Sequence, residues 1–146
     1  MRFLLMTLLT SLLVSSNPWE TDLAKAQQTA RSENKIILLN FSGSDWCGPC
    51  IKMLNDIFES KVFTSYASEH LVLLNADFPR LKKNQLSKEQ QSKNDQLADA
   101  YNKEGVFPLT ILLSADGKIL KSWKGFPQIT PEAFTDQVKA VADANK

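Results

Sequence analysis

The chain has 146 residues, of which 43% are hydrophobic and 23% are charged, the composition of one globular domain. Its 17 basic and 16 acidic residues nearly balance, so we expect neither a strongly basic nucleic-acid-binding protein nor an acidic tail. Two cysteines and one histidine are too few for a disulfide-dense scaffold, or for a closed zinc site made of those ligands alone.

The start of the chain has the pattern of a signal peptide. Arg2 is the only charged residue in a segment that is otherwise rich in Leu, and the apolar run is too short to cross a bilayer. Val14 and Ser16 are small enough for a cleavage site. We therefore predict a signal peptide over residues 1–16 and a mature domain over residues 17–146, exported to the periplasm or another extracytoplasmic compartment where disulfides persist. A buried N-terminal helix is the alternative.

A helix is predicted directly after this segment. Asn17 can cap it, Pro18 suits the first helical position, and Glu20 can reach back to the cap. We expect this helix to end near Asn34. Its apolar residues at helical spacing are Trp19, Leu23, Ala26 and Ala30.

Two short apolar runs predict buried strands of a parallel or mixed sheet. They cover residues 36–41 and 71–77. A helix that begins after Cys47 is predicted between them. Its apolar residues at helical spacing are Ile51, Leu54, Ile57 and Phe58. Phe63 is expected in the core as well.

The polar segment 80–94 is interpreted as a solvated connection with at most a turn of helix, rather than as a separate domain. Its basic residues are Arg80, Lys82, Lys83, Lys88 and Lys93. A partner-binding patch is the less favoured interpretation of these residues, because Gln, Asn and Glu are interspersed among them. A helix from Asp95 to Lys103 is predicted to follow, with Leu97, Ala98 and Tyr101 facing inward.

A hairpin and a final helix complete the predicted fold. Strands at 109–113 and 119–123 are joined by an Asp-Gly turn within residues 115–118, and Thr130 begins the last helix. After the signal peptide the order is αβαβαββα, which predicts an α/β fold in one domain.

The chemistry is predicted at a pair of cysteines placed between a buried strand and a helix. The motif consists of Trp46, Cys47, Gly48, Pro49 and Cys50. The first cysteine falls at a helix N-terminus, where unpaired N–H groups and the helix dipole favour a thiolate. We therefore predict that Cys47 is the exposed attacking sulfur and that Cys50, one turn deeper, is the resolving sulfur.

Half of a zinc site and a purely structural disulfide are the alternatives for this pair. The zinc site lacks further cysteine and histidine ligands, and a disulfide that closes so short a loop adds little stability. Redox chemistry is favoured, and we expect no metal and no cofactor.

The motif resembles the active site of the thioredoxin-fold family, and the order of elements is similar over most of residues 35–144. The resemblance implies a central mixed β-sheet flanked by helices. It also implies a cis peptide bond before Pro108 and a substrate-binding role for Phe107 and Pro108, in which the backbone of Phe107 pairs with an extended client segment. Within the family, the chain looks closest to exported bacterial proteins that resemble the redox domains of thiol-disulfide interchange systems.

Two positions depart from cytosolic thioredoxins. A buried Asp and a Lys of that family correspond here to Asn40 and Leu73. The family's Asp is thought to help deprotonate the resolving cysteine, and Asn cannot accept a proton at neutral pH. We expect Asp45 or water to serve instead, or Cys50 to deprotonate more slowly, unless Asn40 is simply a hydrogen-bonding core residue. Trp46 is expected to be exposed beside the sulfur and to contact substrates.

The resemblance favours an exported protein-disulfide reductase. Gly-Pro between the cysteines resembles the reducing members, and the chain lacks the helical insertion of the oxidases and the dimerisation domain of the isomerases. Expected partners are disulfide-containing or thiol client proteins and a membrane electron donor that recharges the pair; we expect a monomer. An oxidant or exchanger with the same pair is one alternative. A non-enzymatic thioredoxin-like module that binds a client or a metal is another.

Overall fold

The computed structural model describes residues 18–145, so the predicted signal peptide and Asn17 lie outside the described residues. In chain order the elements are β1 (Trp19–Glu20), α1 (Leu23–Glu33), β2 (Ile36–Ser42), α2 (Gly48–Lys52), a π-helix (Met53–Phe58), α3 (Lys61–His70), β3 (Leu71–Asp77), a 3-10 turn (Lys82–Asn84), α4 (Lys88–Tyr101), β4 (Leu109–Leu113), β5 (Ile119–Lys124) and α5 (Pro131–Ala144). None of the helices within these residues is long and apolar enough to span a bilayer.

The strands form one mixed sheet in the order β1-β3-β2-β4-β5. β1, β3 and β2 run parallel to one another, whereas β4 is antiparallel to both β2 and β5. Every residue of β2 is buried, as expected for a central strand covered on both faces. The predicted α/β fold with a mixed sheet flanked by helices is confirmed.

Each face of the sheet carries its own core. On one face, the π-helix, α3 and α5 contribute buried residues that include Ile57, Phe58, Phe63, Phe134 and Val138. On the other face, α1 and α4 contribute buried Ala26, Ala30 and Leu97. The inward-facing residues predicted for the second half of α4 are confirmed, since Leu97 is buried and Ala98 and Tyr101 pack against the same core. The cysteine motif lies at the start of α2, and the π-helix that follows α2 packs on the first of these faces.

The predicted start of the first helix was wrong. Trp19–Glu20 forms a short edge strand beside β3. Asp22 caps α1 instead, and its carboxylate accepts the backbone N–H of Lys25 at 3.1 Å. Pairing with β3 satisfies the backbone ahead of this cap, and the Trp19 ring packs edge-on against Phe58 at 5.2 Å. The predicted end of the helix is confirmed, with Asn34 in the left-handed conformation at φ 53°.

A helix that the sequence analysis left out, α3, follows the π-helix. Ser60 caps it, with Oγ accepting the backbone N–H of Phe63 at 3.3 Å. The π-helix also changes which residues are buried: Ile51 and Leu54 are 42% and 41% exposed. A π-helix bonds each residue to the fifth along the chain, so the 3.6-residue spacing used for the prediction does not hold across it.

α4 begins at Lys88 rather than at Asp95, so that the second half of the polar segment is helical rather than a solvated connection. Ser87 caps it by accepting the backbone N–H of Gln90 at 3.1 Å. The helix escaped prediction because its first turns are polar all round. Asn94, which is buried there, donates to the carbonyl oxygen of Asp77 at 2.8 Å rather than packing as an apolar residue.

Candidate active site

The two cysteines lie at the start of α2, immediately after β2 and a short loop. Cys47 is the N-cap of α2, and its Sγ accepts the backbone N–H of Cys50 at 3.2 Å. The two residues form a disulfide with their Cα atoms 5.2 Å apart. Because α2 runs directly into the π-helix, one continuous helical segment presents its N-terminal N–H groups and the positive end of its dipole to Cys47.

Cys47 is less exposed than predicted. Both cysteines are 4% exposed, whereas Gly48 and Pro49 between them face solvent. The Cys47 side chain turns inward because its sulfur faces the helix N-terminus and its backbone N–H donates to the carbonyl oxygen of Gly43 at 2.9 Å. The prediction of an exposed first cysteine is therefore wrong for the disulfide form, whereas the attacking role of Cys47 and the resolving role of Cys50 stay predictions.

Trp46 is held against the protein rather than exposed. Its indole N–H donates to the carbonyl oxygen of Phe78 at 2.7 Å, and its ring meets that of Phe107 edge-on at 5.4 Å. The guanidinium of Arg80 lies 3.6 Å from the ring centroid. Gly43 leaves room for the ring, since a Cβ there would lie 2.3 Å from Cε2 of Trp46. The expectation of an exposed Trp46 is corrected: the ring is half-buried.

Asp45 anchors the connection after β3 and is not placed as a proton acceptor. Its carboxylate accepts the backbone N–H groups of Arg80 and Leu81, each at 2.9 Å, and the side-chain amide of Asn84 at 3.0 Å. The N–H of Arg80, with the Asn84 amide and the N–H of Leu81, lowers the pKa of Asp45. A carboxylate stabilised in this way is a poor base for Cys50, so the expectation that Asp45 takes this role is not supported.

Asn40 lies in a line of polar side chains that crosses three strands. Its amide N–H donates to Oδ1 of Asn75 at 3.1 Å, and its Oδ1 accepts from the hydroxyl of Thr110 at 3.4 Å. The three residues are direct neighbours across the sheet. Asn40 is only 7% exposed, and it shares its sheet face with Leu38, on which Met53 of the helical segment after Cys50 packs. It is therefore a hydrogen-bonded core residue on the face that carries the cysteine motif.

The peptide bond between Phe107 and Pro108 is cis, as the resemblance implied. The Phe107 ring also meets that of Phe78 at 5.5 Å, and the carbonyl oxygen of Pro108 accepts the backbone N–H of Gly125 at 2.8 Å. Neither backbone group of Phe107 makes a hydrogen bond within residues 18–145. An open groove runs past this point, and it is lined by Gly48, Pro49, Lys52, Phe107, Gly125, Phe126 and Gln128.

No sequence pattern predicts the contacts between the motif and the segment 78–84. Asp45 binds backbone N–H groups of this segment instead of acting as a base, and Arg80 lies over Trp46 instead of in a solvated stretch. The one available signal was the position of Asp45 directly before the motif. No group of three His, Cys, Asp or Glu side chains within the described part of the chain is arranged to bind a metal ion.

A mixed sheet flanked by helices, with a disulfide between two cysteines at the first turn of a helix, defines a thioredoxin-like redox protein. The sequence matches the thioredoxin-like domain family over residues 23–142. It is 38% identical over 122 residues to the disulfide bond reductase DsbH of Chlamydia pneumoniae, covering 84% of this chain and 70% of that protein.

Solved structures agree with this assignment. A DsbH oxidoreductase superposes with a TM-score of 0.77 and 34% identity, covering 91% of this chain and 94% of the other. The C-terminal domain of DsbD from Neisseria meningitidis, in its reduced form, shares the fold at 24% identity and a TM-score of 0.55, covering 81% of this chain and 92% of that one. The chain belongs to the thioredoxin-like family and is a thiol-disulfide oxidoreductase of the Dsb type.

Proposed function

We propose that the protein is an exported protein-disulfide reductase in which Cys47 and Cys50 form the catalytic pair. The supporting observation is the position of Cys47, whose sulfur caps a helix and accepts the backbone N–H of Cys50. In the reduced protein, the same N–H group and helix dipole stabilise a Cys47 thiolate. DsbH, to which the chain is similar, is named a disulfide bond reductase, in agreement with this direction.

The reaction takes place in two thiol–disulfide exchanges. The Cys47 thiolate attacks one sulfur of a client disulfide, which forms a mixed disulfide and releases the other client sulfur as a thiolate. The Cys50 thiolate then attacks Sγ of Cys47, which closes the Cys47–Cys50 disulfide and releases the first client sulfur. Two electrons pass from the pair to the client, and the released client thiolates take up protons from solvent.

Phe107 and Pro108 are the proposed client-binding residues, with Trp46, Gly48 and Pro49 completing the loop around the sulfurs. The N–H and C=O of Phe107 have no partner within residues 18–145, so an extended client segment can pair with them as an added strand. The groove past Gly48, Pro49 and Phe107 gives this segment a path to the pair. Such access is needed because both cysteines are buried in the disulfide form.

An exported reductase must be re-reduced after each cycle. We propose that a membrane electron donor of the thiol-disulfide interchange type reduces the Cys47–Cys50 disulfide by the reverse exchange, and that the protein acts as a monomer. The predicted signal peptide over residues 1–16 supports the export on which this need for a donor depends.

Trapping of the mixed disulfide tests the order of the exchanges. In a Cys50→Ser variant, stable adducts with client proteins should accumulate through Cys47, since the second exchange is blocked. The matched Cys47→Ser variant should form no such adducts and should not reduce insulin disulfides. Adducts that form through Cys50 in the Cys47→Ser variant would overturn the assignment of the two sulfurs.

Equilibration with glutathione tests the direction. A reductase should have a potential near that of thioredoxin, at about −270 mV, and its pair should be reduced in the exported compartment. A potential above about −180 mV, with the pair wholly oxidised in cells, would support an oxidant or exchanger instead. Tight one-to-one metal binding without reduction of insulin would support a non-enzymatic module.

A further inference from the structure

A basic segment lies beside the active site without ion-pair partners. Arg80, Lys82 and Lys83 are all exposed, and Leu81 between them is 48% exposed. Within the described residues, none of these three basic side chains forms an ion pair. We call residues 80–83 the basic segment. Their charges are available to a partner, unlike that of Lys93 nearby in sequence, which pairs with Asp22 at 2.8 Å.

The basic segment is fixed to the active-site loop by its backbone. The carboxylate of Asp45 binds the N–H groups of Arg80 and Leu81, and the carbonyl oxygen of Phe78 accepts the indole N–H of Trp46. Asp45 thus holds the main chain of the segment, and its carboxylate pairs with none of the three basic side chains. The segment is therefore packed against Asp45 and Trp46 of the active-site loop rather than a free surface loop.

Trp46 links the basic segment to the proposed client-binding residue Phe107. One side of its ring is covered by the guanidinium of Arg80 at 3.6 Å, and its ring also meets Phe107 at 5.4 Å. A client strand paired with the free backbone of Phe107 would therefore pass next to Trp46, whose ring also contacts Arg80 of the basic segment. Residues of that strand close to its reactive cysteine would come within the range of these charges.

We propose that the basic segment is a docking surface for an acidic stretch of the client that flanks its reactive cysteine. This proposal rests on the proposed reductase function and adds a substrate preference to it. Arg80, Lys82 and Lys83 supply the charges, and exposed Leu81 offers an apolar contact among them. Each client carboxylate matched to an exposed basic side chain should raise the reaction rate at limiting client by roughly two- to fivefold at low ionic strength.

Three peptides that differ only beside one cysteine test this preference. Each carries its cysteine as a mixed disulfide with glutathione and is flanked by two Glu, two Gln or two Lys residues. Single-turnover reduction by the reduced protein should be about five- to twentyfold faster for the Glu peptide than for the Lys peptide at low salt. The ratio should fall toward unity near 1 M salt, where the Debye length is about 3 Å.

Two double variants distinguish an effect of the basic segment on peptide discrimination from an effect of the overall charge of the protein. Lys82→Gln with Lys83→Gln should remove most of the discrimination between the Glu and Lys peptides. Lys61→Gln with Lys139→Gln removes the same charge from exposed positions on α3 and α5, and it should leave the discrimination as in the wild type. Melting temperatures of both variants should match that of the wild type, because all four side chains are exposed.

The outcomes distinguish a failure of the proposed docking surface from a failure of the proposed reductase function. Equal rates for the three peptides in the wild type, or full discrimination in the Lys82/Lys83 variant, would overturn the docking surface and leave the reductase in place. No reduction of any peptide would contradict the reductase itself. If the Lys82/Lys83 variant lost binding to anionic phosphatidylserine vesicles while peptide discrimination persisted, the charges would serve a lipid surface and the acidic-client proposal would be wrong.

Discussion

Replacement of Gly43 by alanine tests how tightly Trp46 is packed on the active-site loop. The new Cβ would lie 2.3 Å from Cε2 and 2.6 Å from Nε1 of the Trp46 ring, well inside van der Waals contact. Movement of the ring would break the hydrogen bond from its N–H to the carbonyl oxygen of Phe78 at 2.7 Å and its contact with Arg80 at 3.6 Å. We expect the Gly43→Ala substitution to push the ring out of this position.

The cost follows from the contacts that a displaced ring would lose. A net hydrogen bond contributes about 0.5–1.5 kcal/mol, an exposed cation–π contact about 0.5–1 kcal/mol, and an edge-on aromatic pair about 0.5–1.5 kcal/mol. Loss of the three contacts of Trp46 should lower the free energy of unfolding by about 1.5–4 kcal/mol. Insulin reduction should slow as well, since Trp46 adjoins Cys47.

Urea unfolding of the oxidised protein measures this change as a shift of the midpoint at constant slope. Gly48→Ala is the matched control, because a Cβ at Gly48 meets nothing within 4 Å. Its unfolding free energy should stay equal to that of the wild type or rise by up to about 1 kcal/mol from helix propensity. If Gly43→Ala is as stable as Gly48→Ala, the packing argument for Trp46 is refuted.

Substitutions at three further residues test the polar contacts. Asn40→Asp places a carboxyl in a site that is 7% exposed, where burial raises its pKa. The free energy of unfolding should therefore fall by about 1–3 kcal/mol as pH rises from the pKa of the unfolded chain, near 3.9, through the raised pKa of the folded protein. The resolving step should also quicken above that raised pKa, and no gain between about pH 6 and 9 would contradict a position near the second cysteine. Asp22→Ala should cost about 1 kcal/mol by loss of the α1 cap. The Lys93 ammonium lowers the pKa of Asp22. The wild type should therefore be more stable than Asp22→Asn above about pH 4, and this difference should be lost as pH falls through the lowered pKa of the folded protein. Equal acid unfolding curves for the two proteins would refute the ion pair. Asp45→Ala should speed amide hydrogen exchange at Leu81, whose N–H it binds at 2.9 Å, and unchanged exchange would show that the carboxylate does not hold this segment.

Local patterns were enough to predict most of the sheet and the motif. The apolar runs of β2 and β3 fill strands that are buried in the middle of the sheet, so their sequences carry the information directly. The Asp-Gly turn predicted the β4–β5 hairpin, and Gly117 there has φ 85°. The position of Cys47 at a helix N-terminus was predictable because the sequence shows a buried strand, a loop and a helix in that order.

The remaining features depend on residues that are distant in sequence. β1 is only two residues long, and it exists because β3 offers an edge to pair with. Asp45 and the N–H of Arg80 are 35 positions apart, so nothing local predicts their contact. The half-buried position of Trp46 follows from this packing of the 78–84 segment on the loop. Local sequence patterns therefore predicted where the motif lies, but they could not predict how the 78–84 segment packs on the active-site loop.

Titration of Cys47 in the reduced Cys50→Ser variant tests the central claim most directly. Alkylation rates measured across pH should give a thiol pKa for Cys47 well below the value of about 8.5 found for free cysteine, because the helix N-terminus stabilises the thiolate. A pKa at or above 8.5, with alkylation no faster than that of glutathione, would contradict the account.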